Sequence, residues 1–400
     1  MTEAREQAEY LLSATAVRER CGVLLAAAER GATAQFRVAP ERLPDVARLV
    51  ADVTRRRYPN LVVPPHSRWR HFTAGGVERA ALVAPGADPA EMARARIDLA
   101  IVSVLLDAGA GPRWRYRERE TGQVLTRSEG LAVASLRAME GGLFSTDPAN
   151  PWRADASKLA AITPEALGEA LQHGPGNELA GLGGRATLMQ RLGAVAASAP
   201  TLFGREGRLG RLYDYWLPRR ANLQAPQILH DLLRAFGAIW PGRLTLGGMK
   251  LGDCWPHRAI PGDGLVPLHK LSQWLAYSLI EPLAEAGFAI TELDGLTGLA
   301  EYRNGGLFVD GGVLVPRDPE LIRRSLNPAS EPVVEWRALT IALLDRFAPL
   351  VRHELQLDAT AFPLASMLEG GSWGAGRELA FARRPDGSPP LTIVSDGTLF

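Results

Sequence analysis

Residues 294–306, DGLTGLAEYRNGG, set two acids, Asp294 and Glu301, beside Arg303 and an Asn304-Gly305-Gly306 run. Two readings of this stretch are open from its own residues. One is a helix with a charged outer face and a glycine stop. The other is a carboxylate aimed at a substrate, with the glycine turn fixing its direction.

Four further clusters carry reactive side chains. PPHSRWRHF (64–72) gathers His66, Arg68, Trp69, Arg70 and His71 behind a proline pair that forces an extended entry. It reads as a substrate-contact loop or as a basic surface turn with Trp69 and Phe72 in the core. GDCWPHR (252–258) holds Asp253, Trp255 and His257, with His269 further on, in a spacing that fits no established zinc pattern. LVPLHKLSQWLAYSLIEPL (265–283) is expected to be a helix. Its Leu268, Leu271, Leu275 and Leu279 form an apolar stripe, and His269, Gln273, Tyr277 and Glu281 form a polar one, while Lys270 and Trp274 share a third line. Such a helix suits the wall of a polar cavity, or is simply amphipathic. EGGSWGAGRELA (369–380) offers Glu369, Trp373, Arg377 and Glu378 without a phosphate-loop pattern, and Glu335, Trp336 and Arg337 face a site or bridge helices. G-x-S-x-G and H-E-x-x-H are absent, and neither Cys21 nor Cys254 has a credible catalytic partner, so carboxylate chemistry is what remains.

The elements that must position these groups are mostly helical. Apolar periodicity predicts helices near 4–29, 41–56, 90–108, 128–139, 154–161, 164–173, 181–198, 224–239, 266–286, 295–303, 317–324, 331–355 and 373–384. Strands are expected to be few and short: Thr33–Phe36, a hairpin of 113–116 with 124–126, Val313–Val315 and 391–394. The segment 200–223 is the most loop-like long stretch, and the expected division is 1–205 and 206–400, two helical parts of one compact unit. Lys and Arg number 45 against 44 Asp and Glu, which argues against a nucleic-acid partner. The apolar run 97–111 is too short for a bilayer span, which takes about 20 residues. No signal peptide is recognisable, so no membrane partner and a cytoplasmic location are expected.

HSRWRHF (66–72), GLVPLHKLSQWLAYSL (264–279), DGLTGLAEYRNGGLFVD (294–310), VEWRALTIALLD (334–345) and the closing SDGTLF together resemble the fungal and bacterial uracil-catabolism protein four family, over nearly the whole chain. The resemblance implies a role in degrading uracil by way of a ribosylated urea. A more distant similarity joins HKLSQWLAYSL and ITELDGLTGLAEYRNGGLFVDGGVL (290–314) to the queuosine-nucleotide salvage N-glycosylases. That likeness implies a mostly α fold, related to helix-hairpin DNA glycosylases, and metal-independent cleavage of an N-glycosidic bond. Carried over residue by residue, the family's Asp-Tyr-Arg acid falls on Glu301, its Asp-x-Leu-Thr acid on Asp294 and its helix lysine on Lys270. This chain departs from the pattern with Glu301 in place of Asp and Asn304-Gly305-Gly306 in place of Val-Pro-Gln.

The expected reaction is hydrolysis of the C1′–N bond of a ribosylurea or its 5′-phosphate, with no cofactor and no metal. Glu301 is the expected carboxylate beside C1′, and Asp294 its partner or a sugar-hydroxyl anchor. His269, Lys270 and Arg303 are the candidate phosphate or hydroxyl contacts, and Trp255 and Trp274 the walls for the planar urea. Gln273, Asn304, Asp253, His66 and Arg68 complete the candidate binding set. Two rivals are a metal-dependent amidohydrolase using Asp253, His257 and His269, and a non-catalytic partner of a ring-opening enzyme. Association with other enzymes of uracil degradation is a further expectation.

Overall fold

A computed structural model describes residues 2–240 and 244–394; the closing SDGTLF motif lies outside the described residues. The chain is mostly helical, and the strands among the described residues form only two-stranded pairs. It divides into two compact units built from interleaved segments. The first comprises residues 2–66, 244–273 and 292–394, and the second comprises 67–240 and 274–291.

In the first unit the long Glu331–Leu355 helix is the core element, with Val333–Leu344 continuously buried. A helix apolar on every side is a core helix, and its neighbours here are the Ala14–Glu29 and Leu43–Arg57 helices. Residues 4–29 form two helices rather than one, Glu3–Leu11 and Ala14–Glu29. The break falls at Ser13, whose Oγ accepts the Ala16 N–H at 3.1 Å and caps the second helix. Phe36–Val38 pairs antiparallel with Leu314–Pro316, and Cys254–Pro256 with Leu265–Pro267.

The second unit is centred on Pro89–Leu105, which carries the apolar run and is buried throughout Ile97–Leu105. Asp88 accepts from the Ala90 and Glu91 N–H groups at its start, with Pro89 in the first turn. The Pro164–Ala170 helix begins as expected on a Thr163 cap. Segment 200–223 is a chain of short helical turns rather than a loop, and its Arg208 is buried against Asp98 at 2.8 Å. No helix among the described residues is long and apolar enough to cross a membrane.

The helix expected at 295–303 is displaced. Residues 296–300 are non-helical, and the helix runs Tyr302–Asp310, with Asn304, Gly305 and Gly306 inside it. The glycines are there for room, because a Cβ on Gly305 would lie 2.6 Å from the Trp336 ring. A close helix approach thus looked like a turn signal. The expected 317–324 helix is a short 3₁₀ turn, Pro319–Arg323. Lys270–Glu285 starts later than predicted and is buried on all sides through Ile280, so it has no solvated polar stripe.

Candidate active site

The Cys254–Pro256/Leu265–Pro267 hairpin sets the site's first fixed point. Its register puts Asp253 beside the chain entering the Lys270–Glu285 helix, where the Asp253 carbonyl accepts the Leu268 and His269 N–H groups at 2.9 and 3.2 Å. Asp253 Oδ2 accepts the Lys270 N–H at 3.0 Å, satisfying one of the donors that a helix start leaves open. Arg337, from the core helix, grips the same carboxylate with both arms at 2.8 and 2.7 Å, and Trp255 Nε1–H adds a bond at 2.6 Å. Arg337 Nε also points to the Ala300 carbonyl at 3.4 Å. One buried ion pair therefore holds both the start of the Lys270 helix and the approach to Glu301.

Glu301 is the N-cap of Tyr302–Asp310. Its Oε2 accepts the Arg303 N–H at 2.6 Å and its Oε1 the Asn304 N–H at 2.5 Å. Capping alone does not explain a glutamate, since shorter side chains are preferred there. Burial pushes the Glu301 carboxyl above its ordinary value, opposed by the two N–H bonds and by the charges of Lys270 and His66. Each oxygen retains a second lone pair, so the carboxylate can cap and still accept a proton.

Glu369 forms the third fixed point. It sits in a π-helical turn, Leu368–Ser372, joining the helices Leu364–Met367 and Trp373–Arg383. Its Oε2 is 2.9 Å from His66 Nδ1, and its Oε1 accepts from Arg57 Nη2 at 2.9 Å and Tyr58 OH at 3.0 Å. Burial alone would raise this carboxyl, but His66, Arg57 and Tyr58 together hold it below its ordinary value.

The protein-family description "Protein of unknown function (DUF1688)" matches residues 10–400. The chain belongs to that family. It is similar to "Protein urg3" of Schizosaccharomyces pombe, at 39% identity over 99% of both chains. It is also similar to "Uracil catabolism protein 4" of Lachancea kluyveri, at 37% identity over 98% of both.

In this DUF1688 chain the expected site residues separate into three sets. Glu301 is influenced by the charges of Lys270 and His66, and Asp253 and Trp255 lie at the Lys270 backbone. Gln273 and Asn304 support them. Gln273 Nε2–H bonds Thr297 Oγ1 at 2.6 Å, and Asn304 Oδ1 accepts from Ser372 Oγ at 2.8 Å. Three residues are committed elsewhere in the same unit. Asp294 pairs with Arg352 at 2.7 Å and accepts the Leu364 N–H at 2.7 Å, Arg303 donates to the Gly387 carbonyl at 2.9 Å, and His269 Nε2 meets the Leu11 carbonyl at 2.9 Å. Burial lowers the His269 ring's proton affinity, which suits a neutral ring donating to that carbonyl. Arg68 and Trp274 belong to the second unit, where Arg68 is buried against Asp107 and Ser103 and lies 5.4 Å from the Trp274 ring centroid.

The donors proposed for a metal do not form one set. Asp253 is occupied by Arg337, Trp255 and the Lys270 N–H, and His269 is turned to Leu11. His257 instead joins Glu331 and Glu335, with ligand atoms within 4.8 Å of one another. His257 Nδ1 accepts the Ala259 N–H at 3.1 Å, which leaves the neutral ring's proton on Nε2, 3.4 Å from Glu335. Glu335 also accepts the Phe36 N–H at 2.8 Å, and Glu331 pairs with Arg258 at 2.7 Å. The backbone bonds to Ala259 and Phe36 and the Arg258 pair tie the group into the fold, while His257 Nε2 itself makes no hydrogen bond to any described residue. Tyr58 and Arg57 had no motif to announce them, whereas Arg337 stood in the VEWRALTIALLD stretch. Glu369 was among the residues of the EGGSWGAGRELA cluster, though nothing there pointed to His66.

Proposed function

We propose that this chain is a hydrolase of uracil degradation that cleaves the C1′–N bond of a ribosylated urea, or its 5′-phosphate, to urea and ribose or ribose 5-phosphate. The pathway follows from the relative named for uracil catabolism, which matches this chain almost end to end. The bond type is supported by the sequence likeness to nucleotide N-glycosylases. The observation that carries the reading is Glu301, a buried carboxylate whose bonds to the Arg303 and Asn304 N–H groups fix its place.

The chemistry asks for such a group. As C1′–N breaks, the ribosyl ring gains positive charge, and a nearby carboxylate stabilises it far better in a buried site than in water. Glu301 then takes a proton from the water that adds to C1′. Lys270, at the start of its helix, is assigned to contact sugar hydroxyl or phosphate oxygens. Asp294, half exposed and paired with Arg352, is given no chemical role.

Incubating purified protein with ribosylurea and with its 5′-phosphate, and following urea, tests the proposal. Urea from one of them, lost in Glu301→Gln, is the expected result. No urea from either, or full turnover by Glu301→Gln, overturns it.

A further inference from the structure

The reaction above leaves one requirement unassigned. Urea departs poorly as an anion, so its nitrogen must receive a proton as the bond breaks. It also leaves one cluster unused, the π-turn with buried Glu369 and His66 and the more exposed Tyr58 and Arg57. We infer that His66, its ring oriented and its tautomer fixed by Glu369, is the acid that protonates the departing urea nitrogen. This inference rests on the reaction proposed above.

The geometry supports it in three ways. An ionised carboxylate only accepts hydrogen bonds, so Glu369 Oε2, 2.9 Å from Nδ1, places a proton on Nδ1 and makes Nε2 the nitrogen that exchanges protons. Arg57 and Tyr58 bind the other oxygen and keep Glu369 ionised and still. The loop bearing His66 is strapped down on the same segment, since His66 N–H donates to the Ala365 carbonyl at 2.9 Å and Ser366 Oγ to the Val63 carbonyl at 2.9 Å. The turn also borders the reacting carboxylate, since its Ser372 Oγ donates to Asn304 Oδ1 at 2.8 Å and the Asn304 N–H caps Glu301.

The π-turn itself points the same way. Such turns are rare and concentrate at functional sites. Here it is seated tightly, because a Cβ on Gly371 would lie 2.5 Å from Thr54 Oγ1 and 2.6 Å from the Val50 carbonyl oxygen. The close fit holds Glu369 at one position relative to His66.

The step balances. The cationic ring passes its Nε2 proton to the urea nitrogen, and the C1′–N bonding pair goes to that nitrogen. Water adds to C1′ and gives a proton to Glu301, which returns it to Nε2. Ribosylurea and water become ribose and urea, and the enzyme is restored. His66 is thus a catalytic residue and Glu369 a positioning residue.

Two substrates separate this role from mere binding. His66→Gln should lose about 10²–10⁴-fold in kcat on ribosylurea (or its phosphate), yet less than about tenfold on the matching para-nitrophenyl riboside, whose phenolate needs no proton to leave. Glu301→Gln should lose both. Equal losses on the two substrates, or no loss, overturn the donor role while leaving the proposed reaction standing. If the unsubstituted protein cleaves neither substrate, the reaction falls and the donor role with it. Imidazole-nitrogen NMR reads the positioning without turnover, and a melting curve shows that each variant is folded. The neutral His66 ring should carry its proton on Nδ1, and Glu369→Gln should shift the population toward the Nε2–H tautomer. An Nε2–H ring in the unsubstituted protein, or no change in Glu369→Gln, overturns the pairing.

Discussion

Arg337 Nη1 lies 2.8 Å from Asp253 Oδ1 and Nη2 lies 2.7 Å from Oδ2, a two-pronged bond between almost wholly buried partners. Removing one partner of such a pair leaves a buried charge unmatched, which typically costs about 3–5 kcal/mol. Asp253→Asn is expected to fall in that range by chemical denaturation. It should also slow urea release, because the Lys270 helix start and the Ala300 carbonyl hang on the same pair. Stability loss with unchanged turnover would separate the pair from the site.

Glu301→Asp distinguishes the cap from the chemistry. Aspartate is the better N-cap residue, so the melting temperature should hold or rise. The carboxylate is drawn back by one methylene, and a displacement of about 1 Å at a reacting group can cost about 10²-fold in rate. The expected outcome is a stable protein with kcat for urea release reduced about tenfold or more.

Gly305→Ala tests the helix approach. Its Cβ would meet Trp336 at 2.6 Å, and a filled contact in a close-packed core costs about 1–3 kcal/mol. Thermal melting should show that loss, whereas alanine at an unconstrained helical glycine would stabilise.

The two buried glutamates should give opposite pH dependence. Against burial, His66, Arg57 and Tyr58 hold the Glu369 carboxyl below its ordinary value, so the folded chain binds its proton less readily than the unfolded one. Its contribution is complete above the unfolded carboxyl value of about 4.3 and is lost as pH falls through the lowered folded one. Burial raises Glu301, so its contribution is full below about pH 4.3 and is lost as pH rises through its folded value. Relative to the unsubstituted protein, Glu369→Gln should be most destabilised near neutrality and Glu301→Gln most destabilised in acid. Melting temperatures across pH check both.

Much of the helical frame was legible in sequence because caps and apolar periodicity act locally. Thr163-Pro164 and Asp88-Pro89 announced their helices correctly. The failures arose where tertiary contact overrode a local signal. Gly305 and Gly306 looked like a stop, yet they make room for Trp336 and Pro390. Asp294 and Glu301 looked like a pair, but burial and partners separate them. One is tied to Arg352 near the surface, and the other is buried at the start of Tyr302–Asp310. The Glu369–His66 contact joins residues 303 positions apart, and neither segment's composition names the other.

The π-turn at Leu368–Ser372 also takes up one extra residue. Before it, the chain addresses the Val63–His66 loop; after it, Gly376 meets the Arg303 carbonyl at a distance that only glycine allows. An α-helix advances about 100° per residue, since it has 3.6 residues per turn. Deleting one of the two glycines would let the turn close as ordinary α-helix, taking out the extra residue while leaving the helices on both sides near their present phase. A single-residue deletion there would remove the turn that seats Glu369 while keeping Trp373–Arg383 against Tyr302–Asp310.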